Sequence, residues 1–202
     1  MGAIRGVGFR DAAGERAREL GVLGWVRHDD AEGLLVHAEG AAGPLAEFER
    51  FLAAGPPGAE VEALELERVR AEGHEQFAIR GVPAGRFAVH ERERGYDLQL
   101  EVGGAMRVWT VPKEPSLDPA AKRLAIELPA PGAAGEALVW DEGVYEQGGR
   151  VPWPDALDRG HAVFVLHGAR LRGGFALQRT GGGAKPRWLL IKRRDEETRA
   201  GG

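Results

Sequence analysis

Gly81-Val82-Pro83-Ala84-Gly85 is the stretch that most limits how this chain can fold. It has the composition of a linker, and a fresh strand pattern begins beyond it at Phe87. A glycine and proline break followed by a new pattern predicts a domain boundary here. With 202 residues, each half is long enough to bury a workable interior. The expected division is residues 1–83, residues 86–195 and a disordered tail at 196–202.

The first half opens on Arg5-Gly6-Val7-Gly8-Phe9-Arg10. Spaced glycines let successive backbone N–H groups face one small anion, a following helix adds its dipole, and Arg10 can present a two-pronged guanidinium to phosphate oxygens. Gly-x-Gly before a helix is common in loops, so the motif alone is not diagnostic. Phe9, Ala13, Ala17 and Leu20 predict a helix ending at Gly21. Strands are expected over Gly24–Val26 and Gly33–Ala38, on either side of the polar turn His28 to Glu32. A second helix follows from Pro44, with Leu45, Phe48, Phe51 and Leu52 on one face. After Gly55-Pro56-Pro57-Gly58, Leu64 and Leu66 alternate with Glu65 and Glu67 as in a half-buried strand, and Phe77 to Arg80 predict another. This order is a split βαβ sandwich without its first strand, since only Met1 to Ile4 precede the glycine loop.

Gly6-Val7-Gly8-Phe9-Arg10, Leu20 to Arg27, Ala38-Glu39-Gly40 and Gly55-Pro56-Pro57-Gly58-Ala59 together resemble an acylphosphatase domain. The resemblance implies a ferredoxin-like α+β fold that hydrolyses carboxylic-phosphoric anhydrides without a cofactor. It implies that Gly6, Val7, Gly8, Phe9 and Arg10 bind phosphate. An asparagine following the Gly-Trp-Val-basic motif would position the attacking water, and here that place is taken by His28. An imidazole can donate to or accept from water. His28 is therefore read either as the stand-in catalytic partner of Arg10 or as a plain turn residue. Arg5 stands where the family has a glutamine.

In the second half, two alternating runs flank Gly103-Gly104, with Tyr96, Leu98, Leu100 and Val102 on one face and Asp97, Gln99 and Glu101 on the other. Further strands are expected at Leu124–Leu128, Ala137–Trp140, His161–Leu166, Phe175–Gln178 and Trp188–Ile191, as an antiparallel barrel or sandwich. Trp109, Trp140, Trp153 and Trp188 read as core residues rather than base-stacking platforms. His161 and His167, with no carboxylate partner evident, read as structural.

Tyr96 to Glu101, Trp109-Thr110-Val111-Pro112-Lys113, Pro115 to Pro119, Lys122 to Ala125, Val139 to Gly143 and Trp188 to Lys192 resemble the 3'-phosphoesterase domain of bacterial ligase D. The resemblance implies a β-barrel that trims DNA 3' ends with manganese in end-joining repair. That chemistry needs two histidines and an aspartate around the metal. Asp97 is kept, but Gly95 and Gln99 replace a histidine and an arginine, and the first histidine is at best His90. A further histidine-bearing segment is shortened to Pro129–Gly135. The set His90, Asp97 and Gln99 is read as vestigial, no metal ligands are expected, and manganese would matter only if this site were active.

Charge is uneven along the chain. Residues 1–83 carry 15 acidic and 9 basic side chains, and residues 159–199 carry 10 basic and 3 acidic ones. Lys192, Arg193 and Arg194 are thus candidate nucleic-acid contacts. The absence of cysteine excludes disulfides and thiolate metal sites and fits the cytoplasm. No apolar run approaches membrane-spanning length. Two functions are expected from this reading. One is an acylphosphatase-like hydrolase of a small acyl phosphate, carrying an inactive phosphoesterase-like barrel. The other is a non-catalytic protein whose barrel binds DNA or a DNA-repair partner.

Overall fold

The computed structural model describes residues 8–29, 33–129 and 138–194. Met1 to Val7, part of the 28–32 turn, most of the shortened 129–135 segment and the 196–202 tail lie outside the described residues. The chain divides into two compact units, residues 1–82 and 83–202.

In the first unit, α1 (Phe9–Leu20) is followed by β1 (Leu23–His28), β2 (Leu34–Glu39), α2 (Ala42–Ala54) and β3 (Phe77–Ile79). The sheet order is β2-β1-β3, with β1 antiparallel to β2 and parallel to β3. The helical stripe Phe9, Ala13 and Ala17 is buried with Val22, Val26, Phe48, Leu52 and Phe77. Alternation along β1 and β2 therefore sends Val26, Val36 and Ala38 toward the helices, and Trp25, His37 and Glu39 to the other face of the sheet. Gly24 lets the two strands approach. Its φ is 132°, and a Cβ there would lie 2.0 Å from the His37 carbonyl oxygen.

Two expectations need correction in this unit. The helix α2 begins at Ala42, so Pro44 sits inside its first turn, where no intrahelical N–H is needed. No strand forms at Leu64 to Glu67; Leu64 and Leu66 are 38% and 63% exposed. An alternating pattern becomes a strand only beside a ladder partner, and no described strand flanks this segment.

The second unit is a closed antiparallel barrel in the order β10-β11-β7-β6-β5-β4-β8-β9. Its strands are β4 (Gly85–Arg92), β5 (Gly95–Val102), β6 (Ala105–Val111), β7 (Arg123–Leu128), β8 (Leu138–Gly148), β9 (His161–Gly168), β10 (Arg172–Gly181) and β11 (Arg187–Lys192). A short helix, α3 (Asp155–Asp158), lies between β8 and β9. Closure leaves no unpaired edge. Val89, Leu98, Trp109, Tyr145, Phe164, Phe175 and Trp188 fill the interior. Trp109 and Trp188 are fully buried and meet edge to face at 6.1 Å, while Trp140 is only half-buried. Among the described residues, no helix is long and apolar enough to cross a membrane.

Candidate functional site

The first site is built at one end of the three-stranded sheet. Gly8 caps α1 in the left-handed region, φ 65°, and its carbonyl accepts the first helical bond, from the Ala12 amide at 2.9 Å. Phe9, 5% exposed, anchors the turn in the core. Arg10 is half-buried, and its Nη1 donates to the Arg80 carbonyl at 3.3 Å. The Arg80 amide in turn donates to the Val26 carbonyl at 2.9 Å. The guanidinium at the start of α1 is thereby tied to the C-terminal ends of β1 and β3.

His28 closes β1 two residues beyond Val26 and shares its side of the strand, the side that carries the helices. Its Nδ1 is buried and makes no hydrogen bond among the described residues. Arg10 and His28 therefore belong to the same end and the same face of this sheet. Gly6 and Val7 lie outside the described residues.

The barrel treats its retained aspartate differently. Asp97 is buried, 7% exposed, and both oxygens are taken: Oδ2 accepts Arg92 Nε at 2.8 Å, and Oδ1 accepts the Thr110 hydroxyl at 2.9 Å. His90 is the cross-strand neighbour of Asp97, beside a bulge against β8, and its buried Nδ1 has no described hydrogen-bond partner. Gln99, two residues along, pairs with Ala88 and Val108. His90 and Asp97 belong to no metal-sized group of three ligands among the described residues. Gly95 has φ 98°, and a Cβ would sit 2.6 Å from the Val111 carbonyl oxygen, so this backbone has no room for a histidine. Arg92 escaped the sequence reading because its role depends on the β4–β5 turn, which folds it back onto Asp97.

Three further placements correct or extend the sequence reading. Lys192 is 2% exposed, with Nζ 5.4 Å from the Phe175 ring, because β11 alternation turns Trp188, Leu190 and Lys192 inward. Only Arg193 and Arg194 of the basic trio are exposed. His167 does have a carboxylate partner, Glu146 Oε1 at 2.7 Å on the neighbouring strand. A third feature was not read from the sequence, an open cleft of 540 Å³ lined by Ser116, Arg123, Trp140 and Arg170. In it Arg170 lies 4.8 Å from the Trp140 ring centre and Trp140 meets Tyr96 at 5.4 Å.

Comparison with known proteins finds similarity in both units. The family model for acylphosphatase matches residues 1–79. The acylphosphatase of Thermotoga petrophila is 39% identical over 79 residues, which cover 39% of this chain and 88% of that protein. The chain belongs to the acylphosphatase family. A second acylphosphatase, from Synechococcus sp., is 40% identical over 79 residues and is covered to 68%. The model for the DNA Ligase D 3'-phosphoesterase domain matches residues 88–179. The multifunctional non-homologous end joining protein LigD of Pseudomonas aeruginosa is 37% identical over 137 residues. This chain spans only 16% of that protein's length. An acylphosphatase domain is thus followed by a barrel similar to the DNA Ligase D 3'-phosphoesterase domain.

Proposed function

We propose that the chain hydrolyses small acyl phosphates through its first domain, with Arg10 and the amides of Gly6 to Phe9 holding the phosphoryl group. The observation that carries this reading is the tether from Arg10 to Arg80, which presents the guanidinium at the sheet end where His28 also lies. Water attacks phosphorus, the bond from phosphorus to the bridging oxygen breaks, and the acid leaves as a carboxylate. Carboxylic acids titrate near pH 4 to 5 in roughly the unperturbed case, so the leaving group needs no general acid. The demand on the protein is positioning and stabilisation of charge on the phosphoryl oxygens, which a guanidinium and backbone N–H groups supply. His28 takes the water-orienting role, with the unpartnered Nδ1 as its free hydrogen-bonding atom. Hydrolysis of benzoyl phosphate by the purified chain tests the reading, with Arg10→Ala expected to abolish most of the rate.

For the barrel we infer a phosphoesterase scaffold without its metal chemistry, because Arg92 and Thr110 occupy the carboxylate of Asp97. A second reading for this domain, binding of nucleic acid, is favoured by the cleft lined by Arg123, Trp140 and Arg170, in which the Arg170 guanidinium packs on the Trp140 ring. Salt-dependent binding of single-stranded DNA, weakened by Arg170→Ala, is its test. The lack of cysteine supports a cytoplasmic setting.

A further inference from the structure

The face of the three-stranded sheet turned away from the helices carries a second constellation. Glu39 accepts backbone N–H groups from Glu72 at 2.7 Å, Gly73 at 3.1 Å and His74 at 3.3 Å, which pins the 72–74 segment to β2. His37 Nε2 lies 2.7 Å from Glu39 Oε1, and the His37 ring stacks on Trp25 at 6.1 Å. The His74 ring packs 5.4 Å from that of His37, its side chain 1% exposed. One ligand atom from each of His37, Glu39 and His74 lies within 4.8 Å of the other two.

The hydrogen bonding of His74 is incomplete in an informative way. Its Nε2 lies 3.0 Å from Glu72 Oε2, a carboxylate that only accepts, so Nε2 carries the ring proton. Nδ1 then holds a lone pair, and it is buried with no hydrogen-bond partner among the described residues. Leaving such a buried acceptor unsatisfied is unfavourable unless something else takes its lone pair. A histidine that donates one nitrogen to a carboxylate and keeps the other lone pair free is arranged as metal-binding histidines are. Glu39 keeps its place beside both rings through its backbone bonds, which hold its carboxylate between His37 and the 72–74 segment.

We propose that His37, Glu39 and His74 bind a divalent transition-metal ion of the zinc type, two imidazole nitrogens and one carboxylate oxygen closing on it. Ligand atoms around such an ion lie ~2.0–2.2 Å from it, roughly 3.4 Å apart in a tetrahedron, so small side-chain movements complete the site. The site is structural: it clamps the 72–74 segment to β2 and lies across the sheet from Arg10 and His28, leaving the phosphate chemistry to them.

Cobalt(II) titration of the chelator-treated full chain tests this. The expected result is one equivalent bound with visible d–d bands, displaced by zinc, and a melting temperature that climbs with metal concentration. His37→Gln and His74→Gln, checked for folding by circular dichroism, are expected to bind at least 100-fold more weakly, Glu72→Ala roughly 10-fold more weakly, and His90→Gln as wild type. Absence of stoichiometric binding, or unchanged affinity in folded His37→Gln and His74→Gln, overturns the proposal. If those variants do not fold, nuclear magnetic resonance of the wild-type chain decides: cobalt broadens the ring signals of His37 and His74. Broadening confined to His161 and His167 overturns it.

Discussion

Arg92 reaches back across the β4–β5 turn and donates its Nε–H to Asp97 Oδ2 at 2.8 Å, filling with a guanidinium the place where a cation would meet that carboxylate. The pair is mostly buried, the side chains being 28% and 11% exposed. Arg92→Ala strands a buried carboxylate with only the Thr110 hydroxyl as partner. Denaturant titration is expected to show a loss of about 2 kcal/mol, and wild-type barrel is expected to release no phosphate from a DNA 3'-phosphate end when manganese is added.

Restoring a histidine at Gly95 does not rebuild a metal centre. With φ at 98° and the Val111 carbonyl 2.6 Å from the would-be Cβ, Gly95→His forces the β5 start away from β6. The melting temperature is expected to fall, by roughly 2 kcal/mol or more in stability, with no gain in manganese affinity by calorimetry.

How much of this was readable beforehand depends on whether the cause was local. The face assignment of Asp97, Gln99 and Glu101 against Tyr96, Leu98, Leu100 and Val102 follows from period two; Leu98, Leu100 and Val102 are buried and Gln99 and Glu101 half-buried, but Tyr96 is only half-buried and Asp97 is buried with Arg92 on its carboxylate. The stripe of α1 was equally local. Glu146 could not be matched with His167 because their meeting depends on the β8–β9 register, a property of two strands at once. Lys192 is a surface candidate by charge, yet it continues the inward series Trp188 and Leu190, and spacing along β11 decides its place. Leu64 and Leu66 alternate correctly and still form no strand, since pairing needs a neighbour that alternation alone cannot supply.

Gly24 is a backbone requirement in the first domain. Gly24→Ala drives a methyl into the His37 carbonyl and separates β1 from β2. Its expected outcome is a cost of roughly 3 kcal/mol or more by chemical denaturation, with acylphosphatase activity lost alongside the fold.

Tyr145 makes the barrel sensitive to alkali. Its side chain is buried, its hydroxyl donates to the Glu101 carbonyl at 2.6 Å, and burial, reinforced by the negative charge of Glu101, pushes its pKa up to about 12 despite a hydrogen bond with Gln147. Between pH 10 and 12 the unfolded chain loses this proton while the folded chain keeps it. Stability is therefore expected to be intact below pH 10 and to fall as pH rises through that window. Tyr145→Phe should remove this component of the slope, measured as unfolding free energy against pH.

Arg10, tethered to Arg80, is the side chain proposed to hold the phosphoryl group of an acyl phosphate. Steady-state hydrolysis of benzoyl phosphate by wild type, Arg10→Ala and Arg10→Lys, each verified as folded, tests it most directly. Measurable turnover is expected of wild type, with a loss of at least roughly 100-fold in kcat/KM for Arg10→Ala and only partial recovery with lysine, which lacks the two-pronged geometry. Equal rates for wild type and Arg10→Ala would contradict it.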